Sequence, residues 1–380
     1  MLTRATSVLA PRPDAVAPPA LGGLAVAGEL SRASGLGEVA RLMLRGLERL
    51  GVPSWALDVG TAVRGGRAAP VLPRGAPLLL HVNAPFLPLA LLRMSRSALR
   101  GRRVIGYWAW ELPVAPPDWR AGAPFVHEAW VLSHFTAGAV EPLLPGRVRV
   151  VTPPVAVAPP EPSALDRAAF GLPEDAVVVL VSFSLASSLE RKNPLQAIAA
   201  FRAAFGAQAD RVLVLKVGNP GDFPADFERL RAAIADAPNI RLETRILPPR
   251  DSHALTRAAD IVLSLHRSEG FGLIPAEAML LGKPVIATGW SGNMDFMDHD
   301  TGALIGYRLV PARDPRGVFE APGAMWAEPD QQEAVAALRR LADDAGTRAA
   351  LGDRARQAAV ARLGPESLAS ALRSIGLLAP

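Results

Sequence analysis

No cysteine occurs among the 380 residues, and lysine occurs only three times, at Lys192, Lys216 and Lys283. The first absence excludes disulfides, cysteine nucleophiles and thiolate zinc sites, and it agrees with a reducing compartment. The second leaves arginine to supply all but three of the 41 positive charges. Long apolar runs are missing too. No stretch approaches the roughly 18–20 residues that a membrane helix requires, and the nearest, Leu78 to Leu92, is interrupted by His81, Asn83, Pro85 and Pro88. The N-terminal apolar run is short and is followed by Arg12 and Asp14, which speaks against a signal peptide. Residues 1–20, rich in Pro and Ala, read as a flexible lead-in.

What is present is a chain long enough for two mid-sized domains, each with its own core, and half of its residues are hydrophobic. The sequence pI near 10.3 invites a nucleic-acid reading, but the charge is unevenly placed. Residues 1–165 carry 17 Arg against 10 acids, whereas residues 166–380 carry 24 basic residues against 26 acids. This is an arginine-rich composition with a local excess, and no nucleic-acid partner is expected.

From about Gly22 short apolar runs alternate with longer amphipathic ones, the pattern of α/β domains with parallel sheets. Strands are expected near Leu24–Gly28, Leu78–Asn83, Val104–Trp108 and Ala129–Ser133, with a helix over Gly37–Leu50. In the second half strands are expected at Val177–Phe183, Val212–Val217, Ile240–Ile246, Ile261–Leu265 and Val285–Thr288, with a helix over Pro194–Phe205. The segment Thr152–Pro162 holds five prolines and marks a linker. The expected division is therefore a lead-in over 1–20, one domain over 21–160 on the acceptor side and another over 161–380 for the donor, whose last helix is a candidate to pack back on the first domain. Both are doubly wound Rossmann-like α/β domains, facing each other across a cleft.

Ligands of such sheets gather at the carboxyl ends of the strands, which ranks the residues before any family is invoked. The most informative stretch is Ser268-Glu-Gly-Phe-Gly-Leu-Ile-Pro-Ala-Glu277. It follows a strand, supplies Gly270 and Gly272 where backbone must approach a ligand, and opens a helix with Pro275 in its first turn and Gly282 at its end. An anion site flanked by Glu269 and Glu277 suits a phosphorylated sugar, with N–H groups on phosphate and carboxylates on hydroxyls. The same residues are also compatible with a capped surface helix whose Glu277 complements the dipole. In Glu190-Arg-Lys-Asn-Pro194, Asn193 reads as a helix cap and Pro194 as a first helical residue, so Arg191 and Lys192 form a second candidate anion site. The loop Arg32–Glu38 carries Gly35 and Gly37 without the third glycine and distal acid of a dinucleotide fingerprint. No nicotinamide or flavin is expected.

Together these motifs resemble retaining glycosyltransferase family 4, with its GT-B fold. Glu269-Gly-Phe-Gly with Glu277 eight residues on matches that family's E-x7-E motif. The likeness continues through Ala276–Thr288, Ser291–Phe296 and Phe183–Pro194, and more loosely through Ser34–Arg41 and Tyr107–Leu112. The resemblance implies a hexosyltransferase that moves a sugar from a nucleoside-diphosphate sugar to the hydroxyl of a glycan, lipid-linked or small-molecule acceptor. Glu269 would contact the transferred sugar, and Gly270, Phe271, Gly272 and Leu273 would offer N–H groups to sugar and diphosphate. Glu277 would bind the ribose and Lys192, aided by Arg191, the diphosphate. The loops holding Asn219 and Leu247 would flank the base, and Gly35 and Gly37 would approach from the first domain. Many family members carry an arginine about six residues before the lysine, where this chain has Ala186 and Ser184.

No cofactor and no metal is expected. Asp298-His-Asp300 spells D-x-D but falls in a loop, and the histidines lack metal-ligand spacing. His81 and Glu111 are candidates for acceptor contact, as are Trp108 and Trp110 for stacking, although each also suits a structural role. Arg93, Arg96 and Arg100 recur at helical spacing, a face suited to an anionic membrane carrying a lipid-linked acceptor. The expected location is cytoplasmic, with peripheral contact at the inner face of a membrane as an extension. Alternatives are a sugar-nucleotide epimerase or phosphorylase of similar fold, or a non-catalytic sugar-nucleotide-binding subunit.

Overall fold

A computed structural model describes residues 8–32, 34–59, 72–92, 94 and 99–379. The chain divides into two compact units, Met1–Ala158 with Leu363–Pro380, and Pro159–Arg362. The crossing lies two residues before the expected boundary, and the final eighteen residues belong to the first unit.

The first unit is built on β1 (Leu24–Gly28), β2 (Ser54–Asp58), β3 (Leu78–Leu80), β4 (Val104–Trp108), β5 (Glu128–Val131) and β6 (Val148–Val150). All pair in parallel, in the order β2-β1-β3-β4-β5-β6. Every residue of β1, β3 and β4 is buried, as strands covered on both faces must be, and this is why they read as unbroken apolar runs. Helix α1 (Gly35–Arg49) follows β1, α2 (Leu87–Leu92) follows β3 and α3 (His134–Val140) follows β5. Ser34 caps α1 by accepting from the Gly37 N–H, and Val39, Leu42, Met43 and Leu47 bury one helical stripe. The helix begins two residues earlier than expected because Ser34 is its cap.

The second unit carries β7 (Val177–Ser184), β8 (Arg211–Gly218), β9 (Ile240–Glu243), β10 (Ile261–Ser264), β11 (Val285–Thr288) and β12 (Ala303–Ile305). Their order is β12-β11-β10-β7-β8-β9, again all parallel. The strand order reverses between β7 and β10, so the loops leaving these two adjacent strands diverge over one crevice. Helices α4 (Leu189–Lys192) and α5 (Pro194–Phe205) follow β7, α6 (Pro224–Ile234) follows β8, α7 (Pro249–Ala258) follows β9 and α8 (Leu273–Leu280) follows β10. An antiparallel hairpin, β13 (Tyr307–Pro311) and β14 (Met325–Pro329), precedes α9 (Gln331–Asp343) and α10 (Ala345–Arg362). Neither the hairpin nor the short strands β2, β6 and β12 was expected from the sequence. The chain then re-enters the first unit as α11 (Glu366–Ser374), where Leu368 packs at Gly46 of α1.

One further expectation is corrected, and the linker falls where the prolines placed it. Residues 8–20 are not a free lead-in: the Asp14 carboxylate accepts from the Gly101 N–H at 2.8 Å, its carbonyl lies 2.9 Å from His127 Nε2, and Arg12 sits over Phe125. The proline-rich linker is docked on both sides of the crossing. The Thr152 N–H donates to Ser367 Oγ in the first unit and the Glu161 N–H to His253 Nδ1 in the second. Proline suits such segments because it loses little chain entropy on being fixed.

Candidate functional site

The crevice of the second unit is built by the loops after β7 and β10. Asn193, at φ 54°, ends α4 and starts α5 in the left-handed region. Its side chain does not cap α5 as expected. It donates instead to the Leu265 carbonyl at 3.0 Å, tying the two loops together. Arg191 and Lys192 therefore lie within a short helix of their own, and not in a loop before the next one.

Both cations meet Glu269. The Lys192 ammonium donates to Glu269 Oε1, and Arg191 Nη1 lies 3.2 Å from Oε2. Arg191 also donates to the carbonyls of Ser268 at 2.8 Å and Ser187 at 3.1 Å. Glu269 is 8% exposed. Burial alone would push its carboxyl up, but the charges of Lys192 and then Arg191 outweigh this and hold it at about 2. Glu269 is thus an anion at any physiological pH, fixed in place by two cations on the neighbouring loop.

The backbone of Glu269 is held equally firmly. Its N–H donates to Ser291 Oγ at 2.9 Å, and its carbonyl accepts from the Gly292 N–H at 2.9 Å. Gly292 lies so close to Gly270 that an added Cβ would fall inside the Gly270 carbonyl's contact distance. Beneath this turn His266 is fully buried between Ser264 Oγ and Asn293 Oδ1, at 3.0 and 3.1 Å, and burial lowers its pKa. Ser291, Gly292 and Asn293 stood in the sequence only as part of a resemblance; that they hold Glu269 follows from the fold.

Gly270, Phe271 and Gly272 are buried behind Glu269, with Phe271 packed on Phe296 at 4.9 Å between ring centres. Gly272, at φ 102°, starts α8, so Leu273 opens a helix whose first N–H groups have no partner inside it. Glu277 lies one turn further along and is half-buried. Asn219, at φ 58° after β8, accepts from Ser184 Oγ at the end of β7. Leu247 lies in the loop after β9, half-buried beside the fully exposed Ile246. Because all six strands run the same way, these loops share one edge of the sheet.

The first unit's candidates have a different character. Gly35 is exposed with open space about it, whereas Gly37 is buried 2.6 Å, at an added Cβ, from the Glu29 carbonyl of its own loop. His81 is 2% exposed and stacked on Tyr107 at 4.4 Å. Neither of its ring nitrogens has a hydrogen-bond partner, and burial lowers its pKa to about 3. Trp108 and Trp110 form no stacking surface. Both are buried, packed on Trp119 at 5.9 and 5.2 Å. Glu111 is half-buried and Arg100 exposed; Arg93 and Arg96 lie outside the described residues.

The D-x-D segment is spent locally. Asp298 Oδ1 accepts from the N–H groups of Asp300 and Thr301, and Oδ2 pairs with Arg362 at 2.6 Å. Among the described residues no cluster of three metal-ligating side chains occurs, and no helix is long and apolar enough to cross a membrane.

Two Rossmann-like parallel sheets, one with a charged crevice at its switch point, define the GT-B fold class. The fold of crystal structures of Anabaena Alr3699/HepE in complex with UDP and glucose is similar, with a TM-score of 0.63 at 15% identity over 92% of this chain and 99% of that one. A glycosyltransferase from Rickettsia africae is similar at 0.64 and 12% identity, over 93% and 96%. Residues 177–344 match the family described as glycosyl transferases group 1. That match lies wholly within the second unit. D-inositol 3-phosphate glycosyltransferase of Salinispora arenicola is 31% identical over 224 residues, 56% of this chain and 46% of that protein. A homologue of that name from Saccharomonospora viridis is 31% identical over 191 residues, 49% and 43% respectively. The matches span less than half the length of these relatives.

Proposed function

We propose that the protein is a retaining glycosyltransferase that moves a hexose from a nucleoside-diphosphate sugar to an acceptor hydroxyl. The observation that carries the reading is the Lys192–Glu269 pair at the reversal of strand order in a group 1 glycosyltransferase domain. As the bond from the sugar's anomeric carbon to the diphosphate oxygen breaks, negative charge builds on the leaving group. Lys192 and the start of α8 are the groups that would stabilise it, in a site whose dipoles are already oriented. Glu269, ionised and immobile, accepts hydrogen bonds from sugar hydroxyls. The acceptor hydroxyl attacks on the face the diphosphate leaves, and its proton passes to a departing phosphate oxygen. Glu277 takes the ribose hydroxyls, with Asn219 and Leu247 beside the base; in the first unit Gly35 and Gly37 are candidates for donor contact and His81 and Glu111 for acceptor contact. No metal or other cofactor enters.

The relatives act on inositol 3-phosphate by name and the Anabaena protein is complexed with UDP and glucose. This favours a uridine donor and a polyol, glycan or lipid-linked acceptor here. A thermal-shift screen against uridine, guanosine and adenosine diphosphate sugars tests the reading. One donor class should stabilise the protein, and Glu269→Gln should abolish transfer from it; no stabilisation by any donor, or near wild-type transfer by the variant, would sink it. Contact with an anionic membrane through Arg93, Arg96 and Arg100 belongs to the same proposal. Failure to co-sediment with anionic vesicles at low salt would remove it.

A further inference from the structure

The β13–β14 hairpin touches both loops of the charged crevice. Arg267, two residues before Glu269, makes a forked pair with Glu328 of β14 at 2.7 and 3.3 Å and lies over Trp326. The same guanidinium donates to the Glu190 carbonyl at 2.8 Å, and main-chain bonds join Arg267 to Arg191 on one side and to Ala327 of β14 on the other. The loop between β13 and β14 makes a second attachment. The Asp314 carboxylate, 2% exposed, receives the N–H groups of Val318 and Phe319 on Oδ2 and the Ser188 hydroxyl on Oδ1. Ser188 Oγ in turn accepts from the Arg191 N–H, and the Phe319 ring lies 4.6 Å beneath the Arg191 guanidinium.

Arg191 is itself 2% exposed. A guanidinium taken so far from water is stable only where carbonyls, a carboxylate and an aromatic face replace its hydration. Here Ser187, Ser268, Glu269 and Phe319 do so, and three of these four lie outside its own loop segment. Its charge is thus directed at Glu269 and at the carbonyl next to it, whereas Lys192, one residue on, is more exposed, with 19% of its side chain accessible against 3% for Arg191.

We propose that the β13–β14 hairpin and its loop position the Lys192–Glu269 pair, acting through Arg191 as a positioning residue that never touches the diphosphate. This deepens the transferase reading, on which only its turnover arm rests. Phe319→Leu keeps apolar volume but removes the ring face; Phe319→Tyr keeps the face. Turnover of Phe319→Leu should fall about 10-fold or more, as small misplacements of site groups do. Nucleoside diphosphate affinity should fall by clearly less than turnover, the mark of an effect chiefly on the reacting arrangement. Amide exchange over residues 265–273 should quicken in Phe319→Leu and be restored, with turnover, in Phe319→Tyr. Arg267→Lys, which breaks the forked pair from the other side, should behave like Phe319→Leu and serves where the latter does not fold. The proposal is overturned if exchange over 265–273 is unchanged in both variants, or if nucleotide affinity falls as far as turnover. If the wild type binds and turns over no donor, the transferase reading fails, while the exchange measurement still decides whether the hairpin holds the pair.

Discussion

The two units share a plan of six parallel strands, yet their carboxyl edges are made in opposite ways. In the second unit the turn after β10 is held by charge: Lys192, Arg191 and Arg267 cross between loops and fix a carboxylate held at about 2. In the first unit the ends of β3 and β4 are apolar and neutral, with His81 uncharged on Tyr107 and three tryptophans packed together. The ion pairs of that edge, Glu29–Arg32 and Glu38–Arg41, stay within the loop after β1 and the start of α1. Net charge runs the other way, since the first 165 residues carry the basic excess. Local pairing at a crevice, and not regional charge, is what singles out the candidate site.

The contrast would be sharpened most by Lys192→Ala. It removes the ammonium from Glu269, and turnover is expected to fall about 100-fold or more, the cost of losing one preorganised electrostatic group. Steady-state release of nucleoside diphosphate measures it, and an unchanged rate would break the claim that this edge carries the chemistry. Next comes Gly292→Ala. Its Cβ must push against the Gly270 backbone, so a loss of about 1–3 kcal/mol is expected from overpacking, read by urea unfolding, together with weakened donor binding.

The neutral edge is tested by His81→Phe. Because the folded pKa of His81 lies near 3, below its ordinary 6.5, the unfolded chain binds the extra proton first. Its contribution to stability is complete above pH 6.5 and is lost as pH falls toward 3. Between pH 6.5 and 5 the wild type should lose about 2 kcal/mol from this residue alone. The Phe variant should not lose it, and should be the more stable protein at neutral pH because two unpartnered ring nitrogens are gone. Parallel stability curves for the two proteins would contradict the buried, neutral assignment. A stabilised variant that hydrolyses donor but fails to transfer would mark His81 as an acceptor contact. The smallest effect is expected at the half-exposed Asp298–Arg362 pair: Asp298→Asn should cost under about 1 kcal/mol and leave turnover unaltered, as should addition of a chelator.

Much of this was legible in the sequence. β1, β4 and β11 coincide with their apolar runs residue for residue, and the Gly-rich turn before α8 stood out as a candidate site through its glycines and flanking carboxylates. What escaped has identifiable causes. β6 and β12 are three residues long, and β2 is polar at both ends, too little for a periodic signal. Arg191 and Lys192 look equivalent as neighbours in a string. On a helix they point about 100° apart, so one is buried as a brace and the other faces the crevice. Asn193 read as a helix cap because its residue type favours that role, but its positive φ turned the side chain to Leu265. The hairpin's part was invisible because Asp314 and Phe319 lie more than a hundred residues from the groups they hold.

The return of α11 to the first unit bears on the order in which the protein is made. The first unit is begun before the second, but the seat for Leu368 on α1 stays unfilled until residues beyond Arg362 have left the ribosome. The second unit is a single continuous stretch and can complete its core earlier. Of the two units the one started first is therefore finished last, and a chain cut after Arg362 would hold the whole second unit attached to a first unit without α11.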